Sequence, residues 1–320
     1  MIFARFRKPR IGIVLNGGGA RGAYQLGFLL ALKKHKLYDK VQCISGGSIG
    51  SFMSVIYLLN DPIKAIDIWK KVDNSVVRTP KSSLISSLPI KGSGVFSRTG
   101  VINFIDSNFD LEKIFDSDIP VYSSLAKVVK RGKEKEYVPT YIKLNGKSHE
   151  EILNVLLATS AIPYVFDEVK YNGDTYVDCL KADNEPYLPI MSYKFDMLFI
   201  VPLTDSHYKK DYNGFSKTIV DFGFEEVMDE KMLNMIDFSS DKVDDYIIKG
   251  YLVSDAILTK LKEKKKLHME TRRQRKQLIK QYYSLNTLGI SKYDILSSWK
   301  TLEEIIEEVG GKQDDWKENI

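Results

Sequence analysis

Two glycine-rich turns constrain the fold of this chain more than any other feature of its sequence. The first, NGGGARG at 16–22, follows the apolar run IGIVL at 11–15. The second, GGSIG at 46–50, follows the apolar run VQCIS at 41–45. Short apolar runs bounded by turn residues predict buried strands, and the apolar stretch after each turn predicts a helix. This order of strand, helix, strand and helix is typical of a parallel α/β sheet.

The same alternation continues to about residue 210. Further strands are predicted at IPVYSSLAKVV (119–129), EYVPTYIKLNG (136–146) and MLFIVPL (197–203). A helix is predicted over 148–161, because Pro163 cannot continue it. The segment YNGDTYVDC (171–179) predicts a hairpin turn that leads into a strand, since Asn-Gly favours such turns.

Two regions depart from this alternation. The segment 61–118 is broken by proline, serine and glycine, and we interpret it as either a cap over a site or connecting structure. Beyond about 210 the chain is expected to be mostly helical and increasingly charged. We therefore expect a parallel-sheet α/β/α domain over 8–210 and a helical, basic region over 211–320 packed on the same domain.

The composition is that of an ordinary soluble protein, with 43% hydrophobic and 28% charged residues among 320. No run approaches the roughly 18 apolar residues of a membrane-spanning helix, so any membrane contact is expected to be peripheral. The basic stretch MIFARFRKPR lacks the apolar core of a secretory signal. Two cysteines, Cys43 and Cys179, are too few for a disulfide framework or a zinc site. We expect a reduced, cytoplasmic setting, no metal and no cofactor.

The positive charge is concentrated in the segment 260–280, which holds ten Lys or Arg residues against two Glu. A solvated helix face is the favoured interpretation. A membrane-surface helix attracted to anionic headgroups is the second. Nucleic-acid binding is unlikely, because neither a known module nor interleaved aromatic residues accompany the charge. The sequence carries no signal for an oligomeric state.

The first turn, 17–22, matches two patterns. As G-x-G-x-x-G it fits a dinucleotide-binding loop, but that site also needs an acidic residue near the end of the second strand. That end reads Gln42-Cys43-Ile44-Ser45, and Asp39 lies at the wrong end of the strand. Alternatively, the loop presents backbone N–H groups at a helix N-terminus, where they can stabilise an oxyanion. A plain tight turn is the third interpretation.

The second turn places Ser48 in the pattern G-x-S-x-G between a strand and a helix, which is the context of a nucleophile elbow. Glycine is needed at Gly46 and Gly50 because Cβ atoms would clash in so sharp a turn. The pattern also recurs by chance, so Ser48 alone could be a small loop residue. Its place between VQCIS and an apolar helix favours the nucleophile.

A serine nucleophile needs a base. The chain has four histidines: His35, His149, His207 and His268. Of these, His207 follows a strand and completes the order Ser48, Asp178, His207, as in α/β-hydrolases. Alternatively, Asp178 accepts the serine proton directly, if burial raises its basicity.

Four motifs occur in a fixed order between residues 11 and 203. They are the turn with Gly17, Gly18, Gly19, Arg21 and Gly22, the turn with Gly46, Ser48 and Gly50, the stretch Ala158-Thr159-Ser160-Ala161-Ile162-Pro163, and Asp178 followed by Asn184-Glu185-Pro186. In order and spacing they resemble the patatin-like phospholipase family, with its G-G-G-x-[RK]-G, G-x-S-x-G, A-[ST]-x-A-x-P and D…N-x-P patterns. The segment 236–251 also resembles the C-terminal helix of that family.

The resemblance implies a patatin-like fold and a Ser–Asp dyad without histidine. Ser48 would be the nucleophile and Asp178 the general base of an acyl hydrolase acting on phospholipids, lysophospholipids or neutral lipids. The implied oxyanion-binding residues are Gly17, Gly18, Gly19 and Arg21, and the implied supporting residues are Gly22, Gly46, Gly50, Asn184 and Pro186.

One departure from the family concerns Cys179 and Leu180, which stand where the family has small, glycine-type residues. If those positions need a positive φ, larger side chains would strain the backbone and displace Asp178. A lipid-binding relative that has lost turnover is therefore an alternative to the enzyme.

Overall fold

The computed structural model describes residues 8–59, 61–72, 98–163, 166–204, 217–223, 238–267 and 281–310. The strands in these residues are β1 (Ile11–Leu15), β2 (Val41–Gly47), β3 (Val121–Arg131), β4 (Glu134–Lys143), β5 (Val169–Tyr171), β6 (Asp174–Asp178), β7 (Met197–Val201), β8 (Thr218–Asp221) and β9 (Tyr282–Tyr283). They form one sheet in the order β5-β6-β3-β2-β1-β7-β8-β9, with β4 paired to β3. The strands from β3 through β2, β1, β7 and β8 to β9 are parallel, whereas β4, β5 and β6 pair in antiparallel fashion.

Helices flank this sheet. They are α1 (Gly22–Lys34), α2 (Ile49–Leu59), α3 (Pro62–Lys70), α4 (Arg98–Asn108), α5 (His149–Thr159), α6 (Ser240–Glu263), α7 (Leu285–Leu288), α8 (Lys292–Ser297) and α9 (Leu302–Val309). α5 begins at a capping box, in which Ser148 and Glu151 satisfy each other's backbone N–H groups.

The central strands are buried on both faces, as parallel strands are expected to be. On β1, Ile13 and Leu15 belong to the large hydrophobic cluster that the helices share, whereas Val14 belongs to a smaller cluster on the other face. In the described residues, the smaller cluster is closed by Ile190, from a short 3₁₀ helix, and Phe195. Successive side chains of β1 point to opposite faces of the sheet. Because both faces are buried, every residue of the strand is apolar or glycine, and the run is continuous.

Two strands, β2 and β6, share one edge of β3. β4 pairs with β3 from residue 122 to residue 131. On the other edge, β2 runs parallel to β3 and ends with Gly47 opposite Ser124, and β6 runs antiparallel and ends with Asp178 opposite Leu125. The ends of β2 and β6 therefore meet head to head, because Ser124 and Leu125 are neighbours in β3.

The α/β fold, its strands up to residue 203 and its turns agree with the sequence-based predictions. The turn residues Asn172 and Gly173 both have positive φ, as a two-residue hairpin of this kind requires. Part of the segment 61–118, expected to be irregular, forms α3 and α4, and residues 73–97 lie outside the described residues.

The region after residue 210 is mostly helical, as predicted, because α6 to α9 make up most of its described residues. It also adds two strands to the sheet, β8 and β9, which the sequence did not predict. These strands have four and two residues, too short to show a strand pattern in the sequence. The division into 8–210 and 211–320 stays a prediction. β8 and β9 lie after residue 210 but belong to the same sheet as the strands before it.

Candidate active site

Ser48 lies at the junction of β2 and α2, and its backbone has a φ of 50°. A positive φ is uncommon for any residue other than glycine and often marks functional turns. The two flanking glycines permit the close approach of the turn. A Cβ atom on Gly46 would lie 2.3 Å from the carbonyl oxygen of Gly50, and one on Gly50 would lie 2.0 Å from the carbonyl oxygen of Leu15. The side chain of Ser48 is 7% exposed, at the start of a helix.

Asp178 ends β6 and is 2% exposed. Its Oδ1 accepts a hydrogen bond from the N–H of Leu180 at 2.8 Å. Its buried Oδ2 has no hydrogen bond of ordinary geometry to any described residue. Burial raises the pKa of the Asp178 carboxyl to about 6, although the Leu180 N–H and the nearby hydroxyl of Ser48 act to lower that pKa. A buried carboxylate of raised pKa beside a serine hydroxyl can accept that hydroxyl's proton.

The loop after β1 leads directly into a 3₁₀ turn (Gly19–Arg21) and then into α1. Gly19 has a φ of 59°, which explains the glycine there. The N–H of Gly17 is already donated to Oδ1 of Asn184 at 3.1 Å. The oxyanion role expected for Gly17 stays a prediction, and in this structure its N–H has Asn184 as its acceptor. Within the described part of the chain, the N–H groups of Gly18 and Gly19 have no acceptor.

Arg21 is buried, and its Nη1 donates to the carbonyl oxygen of Leu203 at 3.0 Å. The guanidinium therefore fastens the loop to the chain just after β7. This contact supports a role for Arg21 in fixing the loop.

Asn184 is a buried clamp on the same loop. Its Nδ2 donates to the carbonyl oxygen of Gly17 at 3.1 Å and to Thr204 Oγ1 at 3.3 Å, while its Oδ1 accepts from Gly17 N–H. Pro186 also supports the site, because its carbonyl oxygen accepts a hydrogen bond from the hydroxyl of Ser45 in β2. Asn184 and Pro186 thus connect the segment after Asp178 to both glycine-rich turns.

Cys179 and Leu180 form the start of a short 3₁₀ helix, and neither is among the residues with positive φ. The backbone strain considered for these positions is therefore absent. The thiol of Cys179 is buried, donates to Asn184 Oδ1 at 3.4 Å and fills the space beside Gly47, where a Cβ atom would lie 2.6 Å from the sulfur. Leu180 points outward and is 45% exposed.

Sequence reasoning missed the residues that hold the two strand ends together. Thr159 Oγ1 accepts a hydrogen bond from the N–H of Ser48 at 2.8 Å. The carbonyl oxygen of Ala161 accepts one from the N–H of Asp178 at 2.9 Å. Both belong to the A-[ST]-x-A-x-P motif, so the signal was in the sequence without a role attached to it.

The histidines in the described residues form their side-chain contacts with groups other than Ser48 and Asp178. His35 pairs with Asp255 of α6 at 2.8 Å, and His149, at the opposite end of α5 from Thr159, pairs with Asp106 at 2.9 Å. His207 and His268 lie outside the described residues. Across the described ranges, no group of three or more His, Cys, Asp or Glu side chains could hold a metal ion. No helix in those ranges has the length and hydrophobicity to cross a membrane.

Comparison with known proteins places this geometry in context. The family model "Patatin-like phospholipase" matches residues 13–190, which include both glycine-rich turns and Asp178. The chain is similar to the "Probable lipid hydrolase 463L" of Invertebrate iridescent virus 6, with 26% identity over 64% of this chain and 74% of that protein. It is also similar to "Patatin-like phospholipase domain-containing protein 7" of Rattus norvegicus, with 33% identity over 35% of this chain and 8% of that much longer protein.

Two solved structures share part of the chain trace. VipD from Legionella pneumophila aligns over 69% of this chain and 51% of its own, with 14% identity and a TM-score of 0.36. The type III effector protein ExoU aligns over 95% of this chain and 61% of its own, with 12% identity and a TM-score of 0.41.

Proposed function

The chain belongs to the patatin-like phospholipase family, and we propose that it is a serine acyl hydrolase of the phospholipase A or lysophospholipase type. Its nucleophile is Ser48 and its general base is Asp178. One observation carries the proposal: the buried carboxyl of Asp178, whose pKa is raised by burial, lies beside the hydroxyl of a serine held at positive φ.

The reaction has two halves. Asp178 accepts the proton of Ser48 as Oγ attacks the ester carbonyl carbon, and then gives that proton to the departing alcohol as the C–O bond breaks. Water next attacks the acyl-enzyme and transfers a proton to Asp178. The carboxylic acid leaves, and the proton returns to Ser48.

The negative charge on the carbonyl oxygen needs donors that do not have to reorganise. We propose the N–H groups of Gly18 and Gly19, with that of Ile49 after the nucleophile. The N–H of Ser48 itself is donated to Thr159, and that of Gly17 to Asn184. The clamp of Asn184 on Gly17 supports a rigid loop, and losing one donor in such a hole typically costs about 10²–10³ in rate.

Three alternatives were open. The triad through His207 stays a prediction, because His207 lies outside the described part of the chain. A nucleotide on 17–22 would still need an acid that the end of β2 does not provide. A relative without turnover was motivated by strain at Cys179 and Leu180, and neither residue has a positive φ.

The proposed substrates are phospholipids or lysophospholipids, and contact with their membrane through 260–280 stays the second interpretation of that basic segment. Of that segment, only 260–267 is described. There the apolar Leu261 and Leu267 are buried, while Lys262, Lys264 and Lys265 are exposed. This pattern agrees with a solvated helix face.

The test is labelling by a fluorophosphonate probe together with fatty-acid release from defined phospholipids. We expect both in the wild type, neither in Ser48→Ala, and a rate at least about 10²-fold lower in Asp178→Asn. His207→Ala should behave as wild type. Ser254→Ala is a matched control, because Ser254 is also buried but lies in α6.

Each contrary outcome has a distinct meaning. Loss of labelling in His207→Ala would favour the triad. A folded wild type that neither labels nor releases fatty acid would exclude both mechanisms. Thermal stabilisation by a dinucleotide, abolished in Gly19→Val, would favour the nucleotide-binding alternative.

A further inference from the structure

The turn at 159–161, where α5 ends, contacts the backbones of both proposed catalytic residues. We infer that this turn sets the separation between Ser48 and Asp178, and that Thr159 is the positioning residue through which it does so. The inference rests on the proposed function, since it concerns the geometry of that dyad.

The sheet alone leaves this separation undetermined. Ladder hydrogen bonds hold β2 against Ser124 and β6 against Leu125, on the same edge of β3. They hold Asp178 in register with Leu125, but the ladder of β2 ends at Gly47, one residue before Ser48. A serine and an aspartate on two separate strand ends need a further element if they are to keep hydrogen-bonding distance.

The turn supplies this connection with three hydrogen bonds. Thr159 Oγ1 accepts from the N–H of Ser48 at 2.8 Å, and two residues later the carbonyl oxygen of Ala161 accepts from the N–H of Asp178 at 2.9 Å. The hydroxyl of Thr159 in turn donates to the carbonyl oxygen of Ser124 at 2.5 Å. The turn is thus anchored on β3 where β2 and β6 meet.

The hydroxyl of Thr159 both donates and accepts. It is completely buried, it donates one hydrogen bond and it accepts one. Ser48 is held at a φ of 50°, and such a conformation persists only where the surroundings enforce it. Without the hydroxyl, the buried N–H of Ser48 would lose its partner, and the elbow could relax away from Asp178.

The test compares Thr159→Val, which keeps the side-chain shape and removes the hydroxyl, with Thr159→Ser, which keeps the hydroxyl. On a soluble ester, we expect Thr159→Val to lower kcat by about ten- to a hundredfold with little change in KM. Thr159→Ser should restore most of kcat. Thr218→Val is the matched control, since Thr218 is also buried but lies in β8.

A second measurement does not depend on turnover. Hydrogen exchange of the backbone amide of Ser48 should accelerate in Thr159→Val and not in Thr159→Ser or Thr218→Val. A wild type without Ser48-dependent hydrolysis would refute the proposed function, while the exchange experiment would still decide the contact. Normal kcat and normal exchange in Thr159→Val would overturn the inference, as would an equal loss of kcat in Thr218→Val.

Discussion

Asp178 is the residue on which the proposed chemistry depends most. A carboxylate in water, with a pKa near 3.9, is a weak base at neutral pH. Burial at the end of β6 removes water from this carboxylate and raises its pKa to about 6. The proposed dyad therefore obtains from desolvation a basicity close to that of an ordinary histidine.

This raised pKa predicts the pH dependence of hydrolysis. The base must be ionised, so kcat/KM on a soluble ester should be constant above about pH 7 and fall tenfold per pH unit below about pH 6. A pH–rate profile measured with a substrate that does not titrate in this range checks the expectation.

A histidine would titrate in nearly the same range, so variants must identify the group. The acid limb near pH 6 should remain in His207→Ala and should disappear from the residual activity of Asp178→Asn. Circular dichroism over the same range separates loss of ionisation from loss of folding. A flat profile from pH 4 to pH 8 would contradict the role of Asp178.

At the scale of elements, the packing of α6 on α1 depends on glycine in both helices. A Cβ atom on Gly27 would lie 2.1 Å from the carbonyl oxygen of Ile247, and one on Gly250 would lie 2.0 Å from that of Tyr24. The two backbones therefore touch at this crossing. The contact fixes α1, the helix that follows the glycine-rich loop 17–19.

Gly250→Ala tests this contact. In an isolated helix, alanine is more favourable than glycine by about 1 kcal/mol. Here the new Cβ would meet a backbone oxygen that cannot move aside without shifting the helix. Because such overpacking typically costs about 1–3 kcal/mol or more, we expect a net fall in the free energy of unfolding. Chemical denaturation measures that free energy.

The double variant Gly27→Ala/Gly250→Ala provides the control. Either substitution alone should push the helices apart, so the double variant should lose less than the sum of the two single losses. A stabilised single variant, or strictly additive losses, would show that the backbones are not in contact.

At the scale of the whole molecule, a group of lysines (Lys8, Lys36 and Lys262) and the candidate active site lie at opposite ends of the sheet. Lys8, just before β1, donates to the carbonyl oxygens of His35 and Lys36 beyond the end of α1. Burial lowers the pKa of Lys8, and the nearby charge of Lys262, near the end of α6, acts in the same direction. The loop 17–19 follows the other end of β1, which is about 16 Å away for five residues of strand.

We therefore expect these lysines to contribute little to hydrolysis at a membrane. In Lys36→Glu/Lys262→Glu, fatty-acid release from anionic phospholipid vesicles should stay within about twofold of wild type. If the substrate membrane docked on this end, each basic residue would contribute about 1 kcal/mol of attraction to it. Reversing two of these charges would then lower the rate of fatty-acid release well over tenfold.

Vesicles of purely zwitterionic lipid are the control. A loss confined to anionic vesicles would assign the substrate membrane to this end of the molecule. A loss on both kinds of vesicle, together with a lower thermal midpoint, would indicate damage to the packing of α1 and α6 instead.

Much of the fold and the site followed from local patterns. The runs at β1, β2 and β7 are continuous and apolar because central parallel strands are buried on both faces. Gly46 and Gly50 surround Ser48 because the turn brings backbone oxygens within 2.0–2.3 Å of where Cβ atoms would lie. Such requirements act over a few residues, so the sequence displays them. The short strands β8 and β9 have too few residues to display any pattern.

The sequence by itself determined the order of strands and turns, the candidate nucleophile and the family of the chain. Only the tertiary structure decided how Ser48 and Asp178 meet. They do not lie on parallel neighbours, as a common sheet edge would suggest, but on two strand ends aligned along β3. It also assigned the N–H of Gly17 to Asn184 and that of Ser48 to Thr159. These partners are more than a hundred residues apart in the chain, and no local pattern encodes a contact over that separation.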